Sequence, residues 1–213
     1  MKFKFIALCC AIFYIFGVGT VLGVQEYEKL KSPYGELSHL TFVCGDAAYI
    51  KIFSGISTSD VTNIWNDFIV LAELEIKKVH IFINSPGGDA FTGLALADEI
   101  NRAENNGFDI TAHASGIVAS AAVPIFASCD TRYAAPGTIF MVHEAAMWKW
   151  PGRETASDIR SQNDLMVMLQ DRYISILVSN SILSEEEWKV MERKTTWFDV
   201  EKAVEYGLVD KIE

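Results

Sequence analysis

Three short segments carry the groups needed for acyl-transfer chemistry: Ile83-Asn-Ser-Pro-Gly-Gly-Asp89, Gly116-Ile-Val-Ala-Ser-Ala-Ala122 and Thr138-Ile-Phe-Met-Val-His-Glu144. Ser120 is the candidate nucleophile. A serine hydroxyl is weak at neutral pH and needs a base, and His143 is the candidate. Gly87 and Gly88 let a substrate carbonyl approach backbone N–H groups with no side chain in the way. The N–H of Gly88 and that of Ala121, next to the serine, are the candidate oxyanion donors for a tetrahedral intermediate. Each segment also has a plain structural reading: a tight turn, a helix-start serine, a hydrogen-bonded histidine. His39, His80 and His113 are read in that structural sense. His143 differs by its spacing from Ser120, which holds a helix, a short strand and a Pro-Gly turn that can return the chain beside the serine.

Those segments need a scaffold, and hydrophobic periodicity supplies one. A β-type run at Ala47–Phe53 precedes Ser57-Thr-Ser-Asp60, a capping box, with Val61, Ile64, Trp65, Phe68 and Ala72 at helical spacing. Val79–Asn84 reads as a strand, Phe91–Asn105 as a helix ending near Gly107, and Asp109–Ala114 as a strand. Val118–Ser128 reads as a small-residue helix, with Gly116 allowing a sharp entry, and Arg132–Ala135 and Thr138–His143 as strands. A long amphipathic helix is expected over Thr155–Ser179, then a helix capped by Ser184 and Glu187, and a last helix at Val200–Tyr206. Alternating strands and helices imply parallel β/α/β layers with right-handed crossovers. The fold class is α/β, with one domain over residues 46–213 behind a polar lead-in at 24–45.

Lys2 and Lys4 precede an uncharged run from Phe5 to Gly23, which as a helix spans roughly 28 Å against a hydrocarbon core of ~30 Å. Residues 1–23 are expected to be a cleaved signal peptide or a retained N-terminal anchor, with a buried core helix as the alternative. Export places the domain outside the cytoplasm, in the periplasm, secreted or held at the membrane by that segment alone. Removing Lys2 and Lys4 from 18 basic side chains, and nothing from 28 acidic ones, leaves a formal charge of −12. An acidic domain without a basic stripe argues against nucleic acid and anionic lipid as partners. Cys44 and Cys129 are expected as buried free thiols, though export would permit pairing. No Cys/His cluster has metal-ligand spacing, and no cofactor is expected.

Taken together, the INSPGG turn, Ala119-Ser120-Ala121, the Met141-Val-His-Glu144 strand end and the C-terminal Ala203-Val-Glu-Tyr-Gly-Leu-Val-Asp-Lys-Ile212 resemble the proteolytic subunit of Clp proteases. The similarity runs from about Ala47 to Ile212. The resemblance implies a crotonase-like fold, a serine peptidase acting on peptide or unfolded-protein substrates, and homo-oligomeric assembly in rings to which the long helix contributes. By position it assigns Ser120 as nucleophile, His143 as base, and the Gly88 and Ala121 amides as oxyanion hole. The family's acid sits shortly before the final helix, where this chain has Thr195 and Thr196. Asp199, Asp158 and Asp164 are alternative partners for His143, and the choice stays open. No counterpart of the family's unfoldase-docking segment is evident, and export argues against an ATP-driven partner.

Membrane-anchored signal-peptide peptidases share a similar stretch around the serine but use a lysine base, for which Lys149 is the nearest downstream residue. Trp148 and Trp150 flank it, as packing residues or as a groove wall, subunit contact or membrane-surface contact. Two further readings stand beside the peptidase. One is a crotonase-type acyl-CoA enzyme, suggested by Cys129-Asp-Thr-Arg-Tyr-Ala-Ala135. The other is a catalytically silent scaffold with an incomplete triad.

Overall fold

The computed structural model describes residues 31–33, 35–147 and 152–213. The expected leader at 1–23, and Trp148, Lys149 and Trp150, lie outside the described residues. A minimal hairpin of β1 (Lys31–Ser32) and β2 (Gly35–Glu36) leads to β3 (Thr41–Cys44) and β4 (Ala47–Ile52). There follow α1 (Thr58–Glu73), β5 (Lys78–Ser85), α2 (Ala90–Asn105), β6 (Asp109–Ala119), α3 (Ala122–Ala127), β7 (Thr131–Ala134) and β8 (Ile139–Val142). The chain closes with α4 (Ala156–Ser179), α5 (Glu185–Arg193), β9 (Thr196–Asp199), α6 (Val200–Glu205) and β10 (Lys211–Ile212).

The main sheet runs β10-β7-β6-β5-β4-β3, and β8 joins it through β6, with β9 beyond. The β4–β5, β5–β6, β6–β7, β7–β10 and β6–β8 pairs are parallel, as alternating strands and helices require. Period-two alternation decides what each strand buries. In β5, Val79, Ile81 and Ile83 are fully buried while His80 and Phe82 face the other side. Opposite the buried face, α1 contributes Ile64, Phe68 and Leu71, and α2 contributes Leu96, Ala97 and Ile100. The opposite face carries a run of rings across five strands: Phe42, Tyr49, His80, Phe82, His113 and Tyr133, with centroids 4.7–6.3 Å apart.

The sheet forks along β6. Thr111–Ala114 pair with β7, whereas Ile117–Ala119 pair with β8. At the fork Gly116 has φ +67°, and its Cα packs on Asn84, whose side-chain Oδ1 accepts from Ile117 N–H at 3.2 Å. Gly116 therefore bulges a continuous strand. The expected entry into a helix at Gly116 is corrected: the strand continues through Ala119, because β8 offers a second parallel partner. The segment expected to be helical from Val118 shrinks to Ala122–Ala127. Residues 41–44, expected within an irregular lead-in, form a strand antiparallel to β4. The short strands β9 and β10 were not foreseen, since neither is long enough to show a period.

Besides the β3–β4 pairing, one carboxyl helps fasten the lead-in to the domain. Asp67 of α1 is fully buried and accepts from Ser38 N–H (2.6 Å), Ser38 Oγ (2.6 Å) and Thr41 Oγ1 (2.5 Å). Replacing it strands three donors in a water-poor site. Asp67→Ala is expected to cost about 3 kcal/mol, read as a lower urea midpoint with an unchanged denaturant slope.

Candidate active site

The turn after β5 is built residue by residue from the motif. Ser85 Oγ donates to Ser54 C=O (2.6 Å) and accepts from Gly87 N–H (3.1 Å), which clasps the turn. Gly87 has φ +90°, and a Cβ there would lie 2.7 Å from Ser120 Cβ and 2.9 Å from Ala121 N. Gly88 bridges to Ile56 so closely that a Cβ would fall 2.3 Å from its carbonyl oxygen. Asp89 then caps α2 by accepting from Thr92 N–H at 2.8 Å. Glycine at both positions is thus demanded by backbone approach, and the turn is pressed against the serine.

Ser120 sits between the end of β6 and the start of α3 with φ +54°, a region that L-residues other than glycine seldom occupy. Its N–H donates to Met141 C=O of β8 at 2.8 Å. Two residues past Met141, His143 Nε2 lies 2.8 Å from Ser120 Oγ. If Nε2 accepts the hydroxyl proton, the neutral ring carries its own proton on Nδ1. Tyr173 of α4 donates from Oη to Ser120 C=O at 3.3 Å, and burial, with Glu192 nearby, holds its phenol well above its usual range, so it is a constant donor. Among the described residues, the N–H groups of Gly88 and Ala121 have no hydrogen-bond acceptor in the protein. Ala121 is the N-cap of α3, where the helix leaves such groups unpaired.

The residues proposed as His143's partner separate clearly. β8 and β9 are antiparallel and pair as far as Val142 opposite Thr196; Thr195 lies just outside that ladder, exposed and with φ +51°. Thr196 Oγ1 is committed to Met191 C=O at 2.7 Å. Asp199 pairs with Ile139 at the far end of β8 and caps α6 through Lys202 N–H. Asp158 is held in the capping box of α4 with Thr155, and Asp164 is exposed on that helix. Cys129 is buried as expected, whereas Cys44, on the edge strand β3, is only partly buried.

Sequence reasoning passed over Glu192. It is 2% exposed and lines the cleft that contains Ser120 and His143, together with Leu94, Pro124, Leu169, Gln170 and Tyr173. Burial pushes its carboxyl up to about 7. A buried polar residue on a short amphipathic helix leaves no periodic signature, and only the packing of α5 against α4 turns it inward.

A Clp protease family model matches residues 41–213. The chain is 28% identical over 166 residues to the ATP-dependent Clp protease proteolytic subunit 2 of Pseudomonas aeruginosa, across 76% of this chain and 80% of that protein. To proteolytic subunit 2 of Gluconobacter oxydans it is 27% identical over 190 residues, 88% of this chain and 82% of that one. Among solved structures, a mutant of ClpP1 from Listeria monocytogenes superposes with a TM-score of 0.68 at 22% identity, covering 78% of this chain and 90% of that one. The chain belongs to the Clp protease family, as its motifs led one to expect, and shares that family's fold and its serine-peptidase class.

The buried carboxyl of Glu192 makes stability depend on pH. It stays protonated in the folded state up to about pH 7, while the unfolded chain releases that proton near 4.5. Between those values the folded state binds more protons, so stability falls as pH rises from 4.5 to 7. Glu192→Gln is expected to remove this component and to gain up to about 3 kcal/mol relative to wild type on going from pH 4.5 to 7.5, measured by urea melts at both pH values.

Proposed function

We propose that this Clp-family chain hydrolyses peptide bonds of short or unfolded polypeptides through an acyl-enzyme on Ser120. The 2.8 Å contact between His143 Nε2 and Ser120 Oγ carries the reading. His143 takes the hydroxyl proton as Oγ attacks the scissile carbonyl carbon. The carbonyl oxygen becomes an oxyanion received by the N–H groups of Gly88 and Ala121, which are already fixed in place and need no reorganisation. His143 then returns the proton to the leaving amine. A water molecule, deprotonated by the same imidazole, releases the acyl group and restores the serine. Thr195, just outside the β8–β9 ladder, is read as the partner of His143; its hydroxyl can accept from Nδ1–H but brings no negative charge.

That missing charge favours, as a second reading, a scaffold that no longer forms an acyl-enzyme. The relatives are named as subunits, which supports homo-oligomeric assembly of this chain too. The half-covered aromatic face of the sheet fits such assembly, since parallel sheets are normally covered on both faces. The uncharged run from Phe5 to Gly23 supports export or anchoring, and export would leave no ATP-driven partner. No helix among the described residues is long and apolar enough to cross a membrane.

Labelling of residues 24–213 by a neutral fluorophosphonate, located by mass spectrometry, tests the reading. Modification of Ser120 is expected, with loss in Ser120→Ala and a slowing of about a thousandfold in His143→Ala. Absence of label on folded wild-type protein would overturn the peptidase reading and favour the scaffold or acyl-CoA readings. Thr195→Asp is expected to speed labelling by about tenfold or more, because a carboxylate stabilises the imidazolium. Intact-mass analysis of the full chain expressed in a secreting host is expected to find it either cut near residue 23 or retained whole in the membrane fraction. Whole protein in the soluble cytoplasmic fraction would refute export.

A further inference from the structure

The cleft at Ser120 extends past the reacting groups into a space the acyl-enzyme steps do not use. Its apolar walls come from Leu94 of α2, Pro124 of α3 and Leu169 of α4. One amide of the cleft joins the buried carboxyl of Glu192 to the exposed carboxyl of Glu144 outside it. Gln170 Nε2 lies 3.1 Å from Glu192 Oε2 and 3.4 Å from Glu144 Oε1. Among the described residues Glu192 Oε1 accepts no hydrogen bond. The basic residues of α5 are engaged elsewhere: Lys189 with Glu185 and Asp171, and Arg193 with Glu186. A nearly buried carboxyl without a resident cation is costly as an anion. It is well matched to a cation delivered by a ligand.

Resting on the peptidase reading, we infer that Glu192 is a specificity residue, which selects substrates with Lys or Arg immediately before the scissile bond. The residue whose carbonyl meets Ser120 Oγ is the one whose side chain lies nearest this cleft. An aliphatic stem follows the Leu94, Pro124 and Leu169 walls, and its charged head meets Glu192, with Glu144 beside it. A neutral apolar side chain fills the walls but leaves the carboxyl unanswered, which is the source of discrimination. Burial pushes the Glu192 carboxyl up to about 7 despite Lys189 and Arg193 nearby, and an entering ammonium or guanidinium draws it to the ionised form. The acidic balance of the whole domain steers cationic peptides in the same direction.

The test compares the rates at which two peptidyl diphenyl phosphonates, identical except for Lys or Leu next to phosphorus, modify Ser120. In each case Oγ bonds to phosphorus, phenoxide leaves, and His143 takes the hydroxyl proton. The Lys probe is expected to react about tenfold faster than the Leu probe, and Glu192→Gln is expected to bring the ratio close to one. The ratio is the readout, so a general loss of rate in the variant does not disturb it. In wild-type protein the ratio is expected to rise between about pH 6 and 8 as Glu192 ionises. The other groups facing it are His143, Glu144, Gln170, Tyr173, Lys189 and Arg193. Of these, His143 acts equally on both probes, and Tyr173 stays neutral throughout. A wild-type ratio at or below one, or a Glu192→Gln protein that keeps the preference, overturns the inference while labelling itself upholds the peptidase. If neither phosphonate nor the neutral fluorophosphonate labels folded protein, both readings fall together.

Discussion

The hydrogen bond from Ser120 N–H to Met141 C=O fixes this molecule's chemistry. It is the last rung of the parallel β6–β8 ladder, formed one residue beyond the paired Ala119 and Met141. His143 follows directly on Val142, the last residue of β8. His143 is delivered to Ser120 by strand register, with no flexible loop between them. The positive φ of Ser120 turns the chain out of the ladder, so Oγ faces the imidazole and the next amide, of Ala121, opens a helix. Strain at one residue is held by rungs on one side and by the Tyr173 bond on the other.

For β6 to reach β8 it must first leave β7, and the fork explains much of the motif that precedes it. Asn84 fills the bulge at Gly116, Ser85 clasps the turn, and two glycines let that turn lie on the serine and on Ile56. Each residue type serves a contact that a different side chain would break. The turn, the bulge and the serine form a single packed unit. A backbone shift at any of them moves the oxyanion donors relative to Oγ, and such displacements matter because donors act only at hydrogen-bond distance from the developing charge.

The helices contribute in a different currency. α4 lies along the cleft and supplies Leu169, Gln170 and Tyr173, and α5 turns Glu192 toward it. The result is a site with a neutral phenol, an amide and a buried carboxyl around an imidazole, and no basic side chain among the described residues that line it. Glu192 thus sets a buried carboxyl in the cleft that holds the nucleophile. Burial of Glu192 stores free energy in a protonated carboxyl, and pH or a cationic side chain can release it.

How much of this was legible in the chain follows from the range of each interaction. Composition and period set the α/β class, the alternation of β4, β5 and β6 with α1 and α2, and the capping boxes at Ser57 and Ser184, because these depend on neighbours within a turn or two. The residue types at Gly88, Ser120, Ala121 and His143 named a nucleophile, a base and two amide donors, and the family resemblance followed from them. The helix expected from Val118 was instead strand, since pairing with β8 outweighs the helical preference of small residues. Thr195, Thr196, Asp199, Asp158 and Asp164 could not be separated by spacing, because which of them lies near His143 depends on contacts between segments distant along the chain. Glu192 was invisible for the same reason. The sequence by itself determined which chemical groups exist and which local elements carry them. Tertiary structure alone decided which groups meet and which lose their water, because pairing register and burial are set by contacts between segments distant along the chain.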